Sequence, residues 1–381
     1  MPFFAEFRPV SSVNVGPPAR CVRGASRTSG PDPRRGLTLS RSRRKNNLGA
    51  GRGGRGTAGG ACVPPFAHSG PRKRVNVADL LANYTIVQRI GTGARSQIYE
   101  VVRVETGERF ALKRVIREPH EDDRFLIQAL DEYEVSSKFN HASLRKAYDC
   151  HRVKRWMRLQ EVQVLLELVN GVSLEKHRQT DLNRIVDVFV AVASGLDALH
   201  EMGYVHADMK PNNVLITSAG AVKIIDFGQS CPIGHRKQRI QGTADYIAPE
   251  QVDRHPLTRQ TDVFNFGATL YWVLTGKAFP TKIVKHELGG HNIVDPTPRK
   301  HIPTPQDLMP EIPAALSRTV MDCCAERPSD RPRDMKQVLS RLDVVKHVLD
   351  RRKSAGEQDI KVSEVGDPIE GSDNRKPGAK A

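Results

Sequence analysis

The sequence predicts an α+β fold in which a strand-rich part of the chain precedes a helix-rich part. Three observations predict it. Runs of β-branched residues broken by glycines fill residues 84–116. A long amphipathic pattern, LNRIVDVFVAVASGLDALH, lies within 181–202. The two regimes meet at about 168–172, where Asn170-Gly171 marks a turn. Of 381 residues, 38% are hydrophobic and 27% charged, enough apolar material for a sizeable core, which excludes wholesale disorder.

In chain order, residues 1–75 come first. They hold 12 Gly and 9 Pro and include the low-complexity stretch NNLGAGRGGRGTAGGA, with neither helical nor strand periodicity. They read as a disordered basic Gly/Pro/Arg-rich arm. Strands are predicted at 84–90 (YTIVQRI) and 97–104 (QIYEVVRV), and after the Thr106-Gly107 turn to 116. A helix over 121–139 places Phe125, Ala129, Glu132 and Phe139 on one face. Two further strands are predicted at 148–156 and 162–169, then the 181–202 helix and a short strand, VKII, before Asp226. Helical patterns recur at 261–275, 312–325 and 334–350, and the polar tail 351–381 reads as disordered.

The net charge of +16 is unevenly spread. Residues 1–75 carry 15 Lys/Arg against Glu6 and Asp32, so +13 sits there and +3 on the other 306 residues. A nucleic-acid partner is therefore expected only through the arm. The arm admits four readings: a solvated tail, a stretch translated from a misassigned start, a contact with nucleic acid or an anionic surface, and a transit peptide. The arm is expected to be dispensable for chemistry. A chain beginning at Arg74 should fold and act at close to full rate, and limited proteolysis should clip residues 1–75 first; precipitation or inactivity of the shortened chain would refute this.

Six scattered cysteines show no CxxC and no zinc spacing, and read as free thiols of a reducing compartment. Cys323-Cys324 reads as core packing rather than a redox pair. No apolar run approaches the ~18–20 residues of a membrane span, and MPFFAEFRPV, interrupted by Glu6 and Arg8, is a poor signal peptide. The expectation is a cytoplasmic protein with no membrane partner. Nothing in the sequence sets an oligomeric state.

Five motifs carry chemistry. Gly91-Thr92-Gly93-Ala94-Arg95-Ser96-Gln97-Ile98 lies between two strands, where glycines let backbone N–H groups approach phosphate oxygens. It is neither a Walker A loop nor a Rossmann turn, and alone it suits any Gly-containing hairpin. Lys113, in FALK, is an ordinary exposed strand lysine unless a carboxylate holds it. Glu132 and Glu134 compete for that role ~200° apart on the helix. Glu132 is preferred because it shares the apolar face. The remaining motifs are His206-Ala207-Asp208-Met209-Lys210-Pro211-Asn212-Asn213, Asp226-Phe227-Gly228, and Gly242 to Glu250 ending in Ala248-Pro249-Glu250. Any one occurs by chance; the ordered set is highly specific.

With these motifs the chain resembles the protein kinase family, closest to bacterial eukaryotic-like Ser/Thr kinases. The resemblance covers 84–343. It implies a bilobal protein kinase fold: a β-rich N-lobe with one main helix (84–166), a hinge (167–171) and a helical C-lobe (172–343). It implies transfer of the ATP γ-phosphate, with Mg²⁺, to Ser or Thr hydroxyls of protein substrates. The loop of Ile90, Gly91, Thr92, Gly93, Ala94, Arg95, Ser96, Gln97 and Ile98 would cover ATP. Lys113, paired with Glu132, would hold its phosphates, and backbone groups of Glu167 and Val169 would meet the adenine edge. Asp208 would accept the substrate proton, Lys210 touch the γ-phosphate, and Asn213 and Asp226 hold the metal. Leu166 falls at the gatekeeper position. Asp262 would brace the catalytic loop, and Glu250 would pair with Arg331. Three departures stand out: Ser96 replaces a loop glycine, Ala207 replaces the arginine that usually precedes the catalytic aspartate, and residues 226–250 carry only Ser230, Thr243 and Tyr246 as hydroxyls. Two alternatives compete: a pseudokinase or interaction module of the same fold, and a small-molecule phosphotransferase on a related fold. The Ala-Pro-Glu segment weighs against the second.

Overall fold

The computed structural model describes residues 83–93, 95–118, 123–285, 292–294, 301–355 and 361–362. The first three strands are β1 (Tyr84–Thr92), β2 (Ser96–Arg103) and β3 (Arg109–Ile116). Helix α1 (Arg124–Ser136) is followed by β4 (Ala147–Arg155) and β5 (Arg158–Glu167). These strands form one antiparallel sheet in the order β1-β2-β3-β5-β4. Alternation along β3 and β5 sends Ala111, Val115, Val162, Val164 and Leu166 to the face that α1 covers with Leu126 and Ala129. Residues 168–170 connect this sheet to the second part of the chain.

That part begins with β6 (Gly171–Ser173) and α2 (Leu182–Glu201), then β7 (Tyr204–Val205), β8 (Val214–Thr217), β9 (Val222–Ile224) and β10 (Cys231–Pro232). Helices α3 (Pro249–Val252) and α4 (Arg259–Thr275) follow, then strands β11 (Ile283–Lys285) and β12 (Asn292–Val294). Helices α5 (Pro305–Leu308), α6 (Ala314–Cys323) and α7 (Met335–Ser354) complete it. Asp181 caps α2 by accepting the Arg184 N–H at 2.7 Å. The apolar stripe of α2, from Leu182 through Phe189 to Leu199, is buried against α4 and α7 in the main core. Helices α4 and α6 approach closely at Gly267, where an added Cβ would lie 2.6 Å from the Cys323 Cβ. Both Cys323 and Cys324 are buried there. Burial pushes the Cys323 thiol up to about 12, so the adjacent thiols are packing groups.

Two expectations change. Helix α1 is shorter than 121–139, and Phe139 lies beyond its end. The Ser136 hydroxyl bonds back to the Glu132 carbonyl and the helix stops at Ser137. Phe139 then turns away from the α1 face and packs edge-on against Phe227, ring centroids 4.6 Å apart. The tail expected to be disordered from 351 is helical to Ser354, carried by the apolar stripe through Val345 and Leu349. Further on, Lys361 bridges Asp181, and the Val362 N–H donates to Thr180 O at 2.8 Å while its side chain is buried in the core. The arm 1–75 and the remainder of the tail lie outside the described residues. No helix among the described residues is long and apolar enough to cross a membrane.

Candidate active site

The β1–β2 hairpin brings its glycine loop over the cleft. Gly91 pairs with Ile98 and Thr92 with Gln97, and the Gly93 N–H donates to Ser96 O at 2.8 Å. A Cβ on Gly93 would meet the Ser96 Oγ at 2.5 Å, so a side chain there would require the Ser96 hydroxyl to turn away. Ile90 is 44% exposed at the end of β1. Ala94 lies outside the described residues. A cavity of about 140 Å³ lies beneath, lined by Gly93, Ser96, Lys113, Asp208 and Asp226 among others. Arg95 lines the same cavity.

Lys113 projects from β3 under the loop. Its Nζ lies 2.6 Å from Glu132 Oε2 and 3.3 Å from Asp226 Oδ1. Glu132 is fully buried on α1, whereas Glu134 points outward to Lys138. Burial works against the Lys113 ammonium, but Asp226 and Glu132 outweigh it and push its pKa up. Lys113, with Arg145 and Lys210 beyond it, holds the Asp226 carboxyl well below the usual carboxylate range, although its partial desolvation works against the charge. Asp226 adopts a left-handed backbone at φ +64°, a conformation Asp tolerates better than most residues. Its neighbour Phe227 packs edge-on against both Phe139 and His206, so the turn is anchored in the core.

Asp208, Lys210 and Asn213 sit on the loop between β7 and β8. The Thr243 hydroxyl donates to Asp208 Oδ1 at 2.9 Å and accepts from Lys210 Nζ at 2.8 Å. Lys210 also lies 3.0 Å from Asp208 Oδ2. The Asn213 amide donates to the Asp208 carbonyl at 2.8 Å. The loop is held from below by Asp262 on α4. Its carboxylate accepts the His206 N–H at 2.7 Å, the Ala207 N–H at 2.8 Å and pairs with His200 at 2.7 Å. Burial alone would raise the Asp262 carboxyl; hydrogen bonds from His200 and Ala207 keep it low. Ala207 is buried in an apolar cluster with Val205, Cys231 and Leu257, at φ +61°.

The connecting segment carries Glu167 and Val169. The Glu167 N–H donates to Lys146 O at 2.9 Å, and the Val169 carbonyl accepts from Gly171 at 3.0 Å. Leu166 is fully buried behind them. Glu250 and Arg331 form a buried two-pronged pair at 2.8 and 2.9 Å.

The structure thus brings Lys113, Glu132, Asp226, Asp208, Lys210 and Asn213 to one cleft. Sequence reasoning missed Arg145, whose Nη2 donates to the second Glu132 oxygen at 2.9 Å and which is itself buried. It also missed Gln251, which donates to the Ala207 carbonyl at 2.8 Å, accepts from the Ala248 N–H at 2.9 Å, and meets Asn265 at 3.0 Å. No motif flags Arg145, which acts across a tertiary contact; Gln251 directly follows the Ala248-Pro249-Glu250 run, but its reach to the Ala207 carbonyl is long-range.

The protein kinase domain model matches residues 84–342. Over 280 residues the chain is 26% identical to a probable serine/threonine-protein kinase of Clostridium acetobutylicum, covering 71% of this chain and 41% of that protein. Over 263 residues it is 30% identical to the serine/threonine-protein kinase PknA of Mycobacterium tuberculosis, covering 65% and 58%. Over 283 residues it is 26% identical to the serine/threonine-protein kinase PknD of Chlamydia pneumoniae, covering 66% and 30%. The matched stretch therefore spans between about a third and three fifths of these relatives.

Proposed function

We propose that this chain, which belongs to the protein kinase family, transfers the γ-phosphate of ATP to Ser or Thr hydroxyls of proteins. The family implies ATP and a divalent metal. The observation that carries the reading is the convergence of Lys113, Asp208, Asn213 and Asp226 on one cleft under the glycine loop. The loop, from Ile90 to Ile98, covers the nucleotide. The Glu167 N–H is committed to Lys146 and the Val169 carbonyl to Gly171. The adenine edge therefore meets the Glu167 carbonyl and the Val169 N–H. Lys113, fixed by Glu132, holds the phosphates, and Lys210 offsets charge on the transferred group.

Asp226 and Asn213 fit a hard cation. Asp226 is ionised and 44% exposed, so its oxygens face the cleft. Two oxygen donors suit Mg²⁺, whose other ligands are then phosphate oxygens and water. When bound, that ion screens the phosphate charges. Asp208, oriented by Thr243 and Lys210, receives the acceptor hydroxyl proton and aligns its oxygen. Lys210 and Thr243 at this spacing support a Ser/Thr acceptor over Tyr.

The test uses labelled ATP with Mg²⁺, purified protein and a basic acceptor protein, followed by phosphoamino-acid analysis. Phosphoserine or phosphothreonine is expected. Phosphotyrosine, or no transfer by folded protein, would overturn the reading, the latter in favour of an interaction module.

Catalysis is further expected to need no phosphate on residues 226–250. Where most of the family has an arginine beside the catalytic aspartate, Ala207 adds a buried methyl and no charge for a phosphate to neutralise. Between Gly228 and Gly242 the only hydroxyl is Ser230, which is 4% exposed with its oxygen sealed in the interior. Lys237 ties this segment down by donating to Gln229 O at 2.9 Å. Ser230→Ala and phosphatase-treated protein should keep wild-type kcat/KM. A loss of tenfold or more, ~1.4 kcal/mol, in either would refute this.

A further inference from the structure

Among the described residues, the turn between β4 and β5 stands out by its exposed apolar side chains. Arg155 pairs with Arg158, so Trp156 and Met157 form a two-residue hairpin turn. They are the most exposed large apolar residues described, at 92% and 94%. Trp156 has φ +59°, the left-handed region that favours glycine in such turns. A bulky aromatic there is strained, and an exposed ring gains no packing in return. Packing within the described residues therefore gives no return for that strain.

The surroundings say what kind of contact. Arg152, Lys154, Arg155 and Arg158 flank the tip, all exposed, and residues 150–160 contain no acid. An indole and a thioether at the extremity of a protrusion, ringed by cations, match the boundary between anionic headgroups and acyl chains. The tip is convex and carries one aromatic ring. Single-stranded nucleic acid instead favours a groove with successive stacking rings.

We propose that the β4–β5 turn is a membrane-surface contact, with Trp156 and Met157 entering the interface of an anionic bilayer and the four cations meeting lipid phosphates and carboxylates. The site is separate from the cleft. Lys113 pairs with Val164 on β5, and the extended strand from there to Arg158 is roughly 20 Å long, so a docked tip leaves the nucleotide cleft open. The absence of a long apolar run in the sequence speaks to spanning segments and leaves such a surface contact unaffected.

The experiment uses the full chain, because the cations of residues 1–75 can bind vesicles on their own. The chain has two tryptophans, Trp156 and Trp272, so subtracting the emission of Trp156→Gly from that of wild type isolates Trp156. The probes are vesicles of phosphatidylcholine with phosphatidylserine, vesicles of phosphatidylcholine alone, and both with brominated acyl chains. On the anionic vesicles Trp156 emission should shift to the blue, be quenched by bromine, and recover as salt is raised. Phosphatidylcholine alone should give little of either. The proposal is overturned if the protein sediments with anionic vesicles while Trp156 emission stays that of water. It is equally overturned if single-stranded DNA, and no vesicle, shifts that emission. Concentration-dependent self-association lost in Trp156→Gly, without a lipid response, would assign the tip to a second copy instead. The variant should melt no earlier than wild type, since glycine suits the turn. A markedly earlier melt would make Trp156 a folding residue and end the proposal.

Discussion

Asp208→Asn is expected to lower phosphoryl transfer by ~10²–10⁴-fold while leaving ATP affinity within a few-fold of wild type. The substitution is isosteric, and the Thr243 hydroxyl still finds an oxygen 2.9 Å away. The loop stays in place because Asp262 and Asn213 hold it through backbone groups. What is lost is a group able to take a proton, and the attraction that fixes Lys210 at 3.0 Å. Lys113→Met should also abolish transfer, by a different route. It leaves Glu132 to Arg145 alone and removes the largest of the positive charges that hold the Asp226 carboxyl low. Single-turnover transfer and nucleotide titration separate the two. If Asp208→Asn retains more than about a tenth of the wild-type rate, Asp208 is not the proton acceptor or aligning group.

Arg331→Met is expected to cost ~3–5 kcal/mol of stability, a large share of the ~5–15 kcal/mol that folded domains possess. The guanidinium is fully buried, and each of its five N–H donors has a partner. Two reach Glu250, and the others reach the carbonyls of Ala325, Gln260 and Glu326 at 2.7, 2.8 and 2.9 Å. It also lies 4.9 Å above the Phe264 ring. Removing it strands a buried carboxylate and three carbonyls. Arg331→Lys should recover little, because an ammonium cannot match the two-pronged geometry. Urea denaturation of the two variants and of Glu250→Gln reads the effect. The double replacement Glu250→Gln/Arg331→Met should cost less than the sum of the two single changes. A loss below ~1 kcal/mol for Arg331→Met would show that the pair does not hold α3 to the segment before α7.

Much of the site was legible because its groups lie in short contiguous segments. Asp208, Lys210 and Asn213 share one loop, and Asp226 sits on one tight turn, so the local sequence must carry both the chemistry and the backbone shape. Glu132 was legible by helical period: only its face of α1 turns inward, and Glu134 meets Lys138 outside. The order of strands and long helices followed from hydrophobic spacing, since each apolar stripe has one core to face.

The remainder depends on contacts between distant segments. The reach of α1 could not be set by periodicity, because Phe139 continues the apolar spacing but is claimed by Phe227. Val362 looks like a polar-tail residue until the Thr180 carbonyl and the core around α2 and α7 give it a partner. Arg145 carries no motif and Gln251 only closes the Ala-Pro-Glu run, and the roles of both exist only once Glu132 and the Ala207 carbonyl stand beside them. Local periodicity and turn chemistry settled which chemical groups are present and which elements bear them. Only the packed structure decided that the second oxygen of the buried Glu132 goes to Arg145. That choice rests on desolvation: a buried ion is tolerable only where a distant segment delivers its counter-charge within hydrogen-bond distance, and no local pattern specifies such a meeting.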